Sequence, residues 1–226
     1  MQNRKTWRSI FRLSTHPSIK YFAALAIISG TALFAITQSS HLFATTRIVD
    51  CSMDIEDLQR FVDIWHQGKG IVVVRHTEKC SAMPGLCGEY DDGITGQGIL
   101  DARKVGDGIR NLGDAPSSFF HSPTIRTTET AMALTSSSQE KPWLVEECKS
   151  SLADHIKQEQ LAGTDLVLTT HSHCINELTN RDGDSVLNFN AGGNENFGIA
   201  VLLSQDDQGN LETYGCILPG QWEAIL

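Results

Sequence analysis

The sequence predicts an α/β fold, a three-layer sandwich around a mainly parallel central sheet. Two observations carry this. Gly70-Ile71-Val72-Val73-Val74 and Asp165-Leu166-Val167-Leu168-Thr169-Thr170 are short, continuous apolar runs, the pattern of strands buried on both faces. Around them, stretches of helical period alternate with further short apolar ones, the order that builds parallel sheets flanked by helices. His76 lies just past the first run and His171 just past the second. In an open parallel sheet such strand ends share one edge, where ligands bind.

The elements follow in order. Ile55, Leu58, Val62 and Trp65 share a helical period over 54–66, with Asp54 as N-cap and Gly68 beyond the end. The strand 70–74 comes next, then a loop over 80–93 rich in Gly, Pro and Asp. Thr95 caps a helix carrying Ile99, Ala102, Val105 and Ile109, which ends near Gly113. A strand is expected over 118–121, a helix over 124–134, a polar loop over 136–142, a strand over 143–145 and a helix over 151–161. After the strand 165–170, strands over 197–203 and 211–217 flank Asp206-Asp207-Gln208-Gly209-Asn210, a hairpin turn.

The chain has 226 residues and a net charge of −9. That length fits one domain plus a targeting segment. Residues 1–46 hold five basic residues and no acid, which leaves 13 basic and 27 acidic residues in 47–226. So acidic a body excludes nucleic-acid binding through a general basic surface. Residues 21–36 form an apolar run behind the basic stretch and ahead of Thr37-Gln38-Ser39-Ser40, the layout of a secretory signal. Cleaved, the segment 1–46 is a signal peptide; retained, residues 21–36 attach the chain to the inner membrane. Either way 47–226 is expected outside the cytoplasm, in the periplasm. Six cysteines in an exported chain suggest disulfides. Cys80 with Cys87 is the first choice, because they flank a short turn-rich segment. Cys148 with Cys174 is a second, because both follow expected strands. No Cys-x-x-Cys pair suggests zinc.

Arg75-His76-Thr77-Glu78 places a guanidinium and an imidazole at one strand end. The cation can neutralise and orient a phosphate while the imidazole attacks phosphorus. Three further motifs follow: Thr95-Gly96-Gln97-Gly98, the run Ser122-Pro123-Thr124-Ile125-Arg126-Thr127-Thr128-Glu129-Thr130-Ala131, and Thr169-Thr170-His171-Ser172-His173. In this order and spacing, from about Gly70 to about Leu203, the chain resembles the histidine phosphatase superfamily, the group related to phosphoglycerate mutase. The resemblance implies a phosphoglycerate-mutase-like fold. It makes His76 the nucleophile, Arg75 and Arg126 the phosphate grip, and His171 a donor to the transferring group. Glu147 is the general acid it suggests, by analogy with a glutamate after the second arginine motif. The scheme needs no metal and no cofactor. The usual glycines after the two histidines are Thr77 and Ser172 here. Within the superfamily, the basic-apolar N-terminus, Arg75-His76-x-Glu78-x-Cys80 and Thr170-His171-x-His173-Cys174 are similar to the heptose(II)-phosphate phosphatases of the lipopolysaccharide core. That likeness implies a phosphorylated lipopolysaccharide sugar as substrate.

Other readings stand beside this one. Related folds take many phosphoesters. His171-x-His173 has metal-ligand spacing, though no aspartate-rich companion motif accompanies it. A binding protein with a degenerate site would hold a phosphosugar without forming a phosphoenzyme. A mutase has no use for an export signal, and phosphohistidine proteins are cytosolic substrates. His121 and His173 are expected to be structural.

Overall fold

The computed structural model describes residues 53–225 except 83–86, 88–90, 116, 177 and 179–195. The expected targeting segment, 1–46, lies outside the described residues. Helix α1 (Ile55–Trp65) is capped by Asp54, whose carboxylate accepts from the Asp57 amide at 2.7 Å. Strand β1 (Gly70–Arg75) is buried along its whole length. Helix α2 (Gly96–Asn111) starts at Thr95, whose hydroxyl accepts from the Gly98 amide at 3.0 Å. There follow β2 (Ser117–His121), α3 (Ile125–Leu134), β3 (Gln139–Glu140), α4 (Trp143–Glu146), α5 (Cys148–Glu159), β4 (Asp165–Thr170), α6 (Ser172–Ile175), β5 (Ala200–Gln205), β6 (Leu211–Ile217) and α7 (Trp222–Ile225).

The strand order is β3-β2-β4-β1-β5-β6. β1, β4, β2 and β3 pair in parallel, while β5 is antiparallel to both β1 and β6. Only β5 therefore runs against the rest, and the sheet is mainly parallel as expected. Alternation along β1 builds the two cores. Ile71 and Val73 face Trp143, Leu144, Leu152 and Ile156 from α4 and α5. Val72 and Val74 face Phe61 and Trp65 of α1, Val105 and Ile109 of α2, and Trp222 of α7. The sandwich thus has helices on both faces of one sheet. Among the described residues no helix is long and apolar enough to cross a membrane.

The expected strand at 143–145 is helix α4, and the strand is instead β3, inside the expected loop. Pro142 has helical dihedrals at the head of α4, with φ −57° and ψ −33°, a conformation its ring favours. Trp143 and Leu144 are both buried, which adjacent residues of a one-face-buried edge strand cannot achieve. α5 also begins three residues early and bends at Ser151. The expected hairpin turn holds: Asp206 accepts from the Gln208 and Asn210 amides, and Gly209 takes the positive φ of +93°.

Candidate active site

The carboxyl ends of β1, β2 and β4 bring four of the expected residues together. Arg75 ends β1 and His76 follows it. The His76 amide donates to the Thr170 carbonyl at 2.9 Å, and the Arg75 amide to Ile199 at 2.9 Å. Backbone bonds to both neighbouring chain segments therefore fix this position. The rings of His76 and His171 meet edge-on with centroids 5.4 Å apart. Arg126, in the first turn of α3, brings Nη2 to 3.5 Å from His171 Nδ1. Arg75, His76 and His171 are all buried.

The nitrogen atoms of His76 are distinguishable. Nδ1 lies 2.9 Å from the Thr77 carbonyl. A carbonyl only accepts, so Nδ1 carries the hydrogen and Nε2 carries the lone pair. Burial lowers the imidazole pKa to about 3, against the Thr77 bond, which raises it; the charges of Arg75, His171 and Arg126 lower it further. His76 is therefore neutral near pH 7. His171 is also lowered to about 3, by burial first and then by Arg126, His173 and Arg75. Burial brings the Arg75 guanidinium down to about 10, which leaves it a cation. Its Cζ sits 4.3 Å from the centre of the Phe197 ring, a cation–π contact.

A chain of hydroxyls stands behind His171. Its Nε2 lies 2.9 Å from Ser122 Oγ, which lies 2.8 Å from Thr127 Oγ1. Thr127 Oγ1 also reaches the carbonyls of Ser122 and Thr124, at 2.7 and 2.8 Å. Thr77, in place of the usual glycine, directs its hydroxyl at Thr130 of α3. Its hydroxyl lies 3.2 Å from Thr130 Oγ1, and its amide donates to that same oxygen at 3.1 Å.

Arg126 holds Asp92 in a two-pronged ion pair, Nη1 donating to the two carboxylate oxygens at 2.8 and 3.0 Å. Glu147 is not joined to the cluster by any contact among the described residues. It lies exposed at the junction of α4 and α5, where it accepts from His155 Nε2 at 3.1 Å. His121 Nδ1 lies 2.8 Å from Ser138 Oγ, and His173 Nε2 donates to the Val145 carbonyl at 3.3 Å. The structure pairs Cys80 with Cys87 and Cys148 with Cys174, with Cα atoms 5.4 and 5.2 Å apart. Cys148, His173 and Cys174 could in principle share a metal ion, but these two sulfurs are bonded to each other. His171 and His173 do not converge on a common point either. Their rings stack in parallel, 5.4 Å apart, and their Nε2 atoms address Ser122 and Val145.

Sequence reasoning missed Ser122, Thr127, Thr130, Asp92 and Phe197. The first three stood inside the recognised Ser122–Ala131 motif, at turn and helix positions where hydroxyls bond locally. For Asp92 the only signal was its place in the loop before α2. Phe197 carried none.

In fold the chain is similar to a histidine phosphatase. The solved structure of the protein histidine phosphatase SixA complexed with tungstate matches with a TM-score of 0.51 at 13% identity, over 67% of this chain and 98% of that one. At such low identity this likeness is one of fold. In sequence the chain is 29% identical over 185 residues to the lipopolysaccharide core heptose(II)-phosphate phosphatase of Shigella flexneri serotype 5b (strain 8401), covering 78% of this chain and 85% of that protein. The protein of the same name from Escherichia coli O6:K15:H31 (strain 536 / UPEC) is 29% identical over 184 residues, with 77% and 84% covered. No protein-family model matches. The chain thus resembles the heptose(II)-phosphate phosphatases in sequence and the histidine phosphatases in fold, which supports a phosphoric monoester hydrolase.

Proposed function

We propose that the protein is an exported, metal-independent phosphomonoesterase that works through a phosphohistidine on His76. Its substrate is a phosphorylated sugar of the lipopolysaccharide core, a heptose phosphate. One observation carries the mechanism: the Thr77 carbonyl holds the His76 Nδ1 hydrogen at 2.9 Å, so Nε2 presents its lone pair to phosphorus. Arg75 and Arg126 grip the non-bridging oxygens, a task suited to planar guanidinium groups. His171 adds a donor where charge develops. Water then attacks the phosphoenzyme and releases inorganic phosphate. Thr77 packs on Thr130, so its presence in place of glycine removes no group that the chemistry needs. Glu147 would have to leave His155 to protonate the leaving group. The segment 1–46 directs the chain out of the cytoplasm, and the likeness to the sequence relatives supports the substrate class.

The test is phosphate release from p-nitrophenyl phosphate by the full chain with chelator present, beside His76→Ala. Turnover in the wild type alone, with an acid-labile, base-stable phosphoenzyme after quenching, is the expected result. Turnover in a folded His76→Ala variant, or its loss to the chelator, overturns the mechanism. For the substrate, core oligosaccharide bearing heptose phosphate should be turned over with a higher kcat/KM than the aryl ester. Equal or lower kcat/KM would send the search to other phosphoesters.

A further inference from the structure

Several carboxylates stand near the site, and most are already committed. Glu129 accepts from the Ile94 amide at 2.7 Å. Glu78 accepts from the Thr95 hydroxyl at 2.7 Å, the same hydroxyl that caps α2. Asp91 is exposed. Asp92 differs from all of these because its partner is a phosphate-gripping arginine. Both of its oxygens lie on Arg126 Nη1 at 2.8 and 3.0 Å, and Nη2 of the same guanidinium is 3.5 Å from His171. Its side chain is 57% exposed, whereas His76 is 5% exposed. The nucleophile is thus at the buried end of the site and Asp92 is at its mouth. An in-line displacement by His76 expels its leaving group on the side away from the imidazole, toward that mouth.

We propose that Asp92 is the general acid of the reaction, delivering a proton to the leaving oxygen at the mouth of the site. The assignment rests on the phosphohistidine reading above. The incoming phosphate takes the Arg126 fork from Asp92. A monoester that arrives as its monoanion brings one proton, which passes from its hydroxyl to the Asp92 carboxylate it displaces. His76 Nε2 then forms its bond to phosphorus as the bond from phosphorus to the leaving oxygen breaks. The Asp92 proton moves to that oxygen, so the products are a free alcohol, a phosphohistidine and an Asp92 carboxylate. In the second half the carboxylate takes a proton from the attacking water. The N–P bond breaks, its electron pair returns to Nε2, and phosphate leaves.

A general acid matters in proportion to how poor the leaving group is. The full chain, Asp92→Asn and Glu147→Gln are therefore compared on p-nitrophenyl phosphate, phenyl phosphate and glycerol 1-phosphate. In kcat/KM, which reports the step that expels the leaving group and not the later hydrolysis, Asp92→Asn should stay within about threefold on the p-nitrophenyl ester and lose roughly 10²-fold on the alkyl ester. Glu147→Gln should lose nothing that depends on the leaving group. An equal loss of kcat/KM on all three esters would make Asp92 only a tether for Arg126 and overturn the assignment. No loss, or a leaving-group-dependent loss in Glu147→Gln instead, would overturn it as well. Turnover surviving in His76→Ala overturns the phosphohistidine reading itself, and that variant alone tells the two failures apart.

Discussion

Ser122 Oγ lies 2.9 Å from Nε2 of His171 and couples that imidazole to the Thr127 hydroxyl, 2.8 Å further on. A hydroxyl can accept from one neighbour or donate to it. Thr127 gives its one hydrogen to backbone carbonyls, so Ser122 donates to Thr127 Oγ1 and accepts from His171 Nε2–H. The Nδ1 lone pair then faces Arg126 Nη2, and Nδ1 is the atom that must take up a proton to serve phosphate as a donor. Ser122→Ala removes that control of tautomer and orientation. The variant should stay folded by circular dichroism and lose roughly ten- to hundredfold in kcat, with KM changed far less. The 15N shifts of His171 with inorganic phosphate bound should report a different mix of tautomers. An unchanged kcat would show that the backbone alone orients the ring.

Thr130 holds the loop that holds His76. Its hydroxyl accepts from the Thr77 amide, and the Thr77 carbonyl in turn fixes the His76 Nδ1 hydrogen. Thr130→Val keeps the shape but strands a buried amide, at a cost of about 1–3 kcal/mol. Urea unfolding should show that loss, and phosphoenzyme formation should slow. A variant as stable as the parent would mean that the Thr77 amide finds another acceptor.

Acid should weaken the fold less than two buried histidines alone would predict. His76 and His171 are lowered to about 3 from an unfolded value of 6.5. Between those values the unfolded chain takes up protons that the native state refuses, so their stability is full above 6.5 and falls as pH drops toward 3. Asp165 works the other way: burial raises it to about 7 from 3.8, against the Gly70 amide bond. The native state keeps a proton that the unfolded chain has released, and stability rises as pH falls from 7 toward 3.8. Two histidines outweigh one carboxylate over this window, each proton counting about 1.4 kcal/mol per pH unit. Asp165→Asn removes the opposing carboxylate, so its urea midpoint should fall about twice as steeply from pH ~6 to ~4. Parallel slopes would sink the account.

The Cys148–Cys174 bridge closes a separation of 26 residues and ties the start of α5 to the helix that follows His171. Its removal in a Cys148→Ser, Cys174→Ser double variant should cost about 3 kcal/mol in the chain-entropy model. The same change frees His173, which packs flat on His171, so kcat should fall along with stability. Loss of stability with kcat intact would confine the bridge to a structural role.

β1 and β4 were legible because strands buried on both faces read as unbroken apolar runs. Arg75, His76, Arg126 and His171 were legible because their spacing follows the strand and helix ends that position them. Trp143-Leu144-Val145 misled because bulky and β-branched residues suit strands, while Pro142 and a short connection from β3 favour a helix. Asp92, Phe197 and the hydroxyl chain depend on which loops touch. Contacts between segments distant in sequence leave no local periodicity to read.

The sheet topology also governs when activity can first arise. β1 is flanked by β4 and β5, and the bond from the Gly70 amide to Asp165 spans 95 residues. Neither flank exists until the second half of the chain is available, and His171 arrives with it. Pairing across so many residues must meet the loop-closure cost first, so this sheet forms late in folding. A growing or truncated chain that stops short of residue 165 carries the nucleophile on an unpaired strand, with no second histidine and no fixed tautomer. Catalytic competence should therefore appear in a single late event during refolding, together with protection of the β1 amides from exchange.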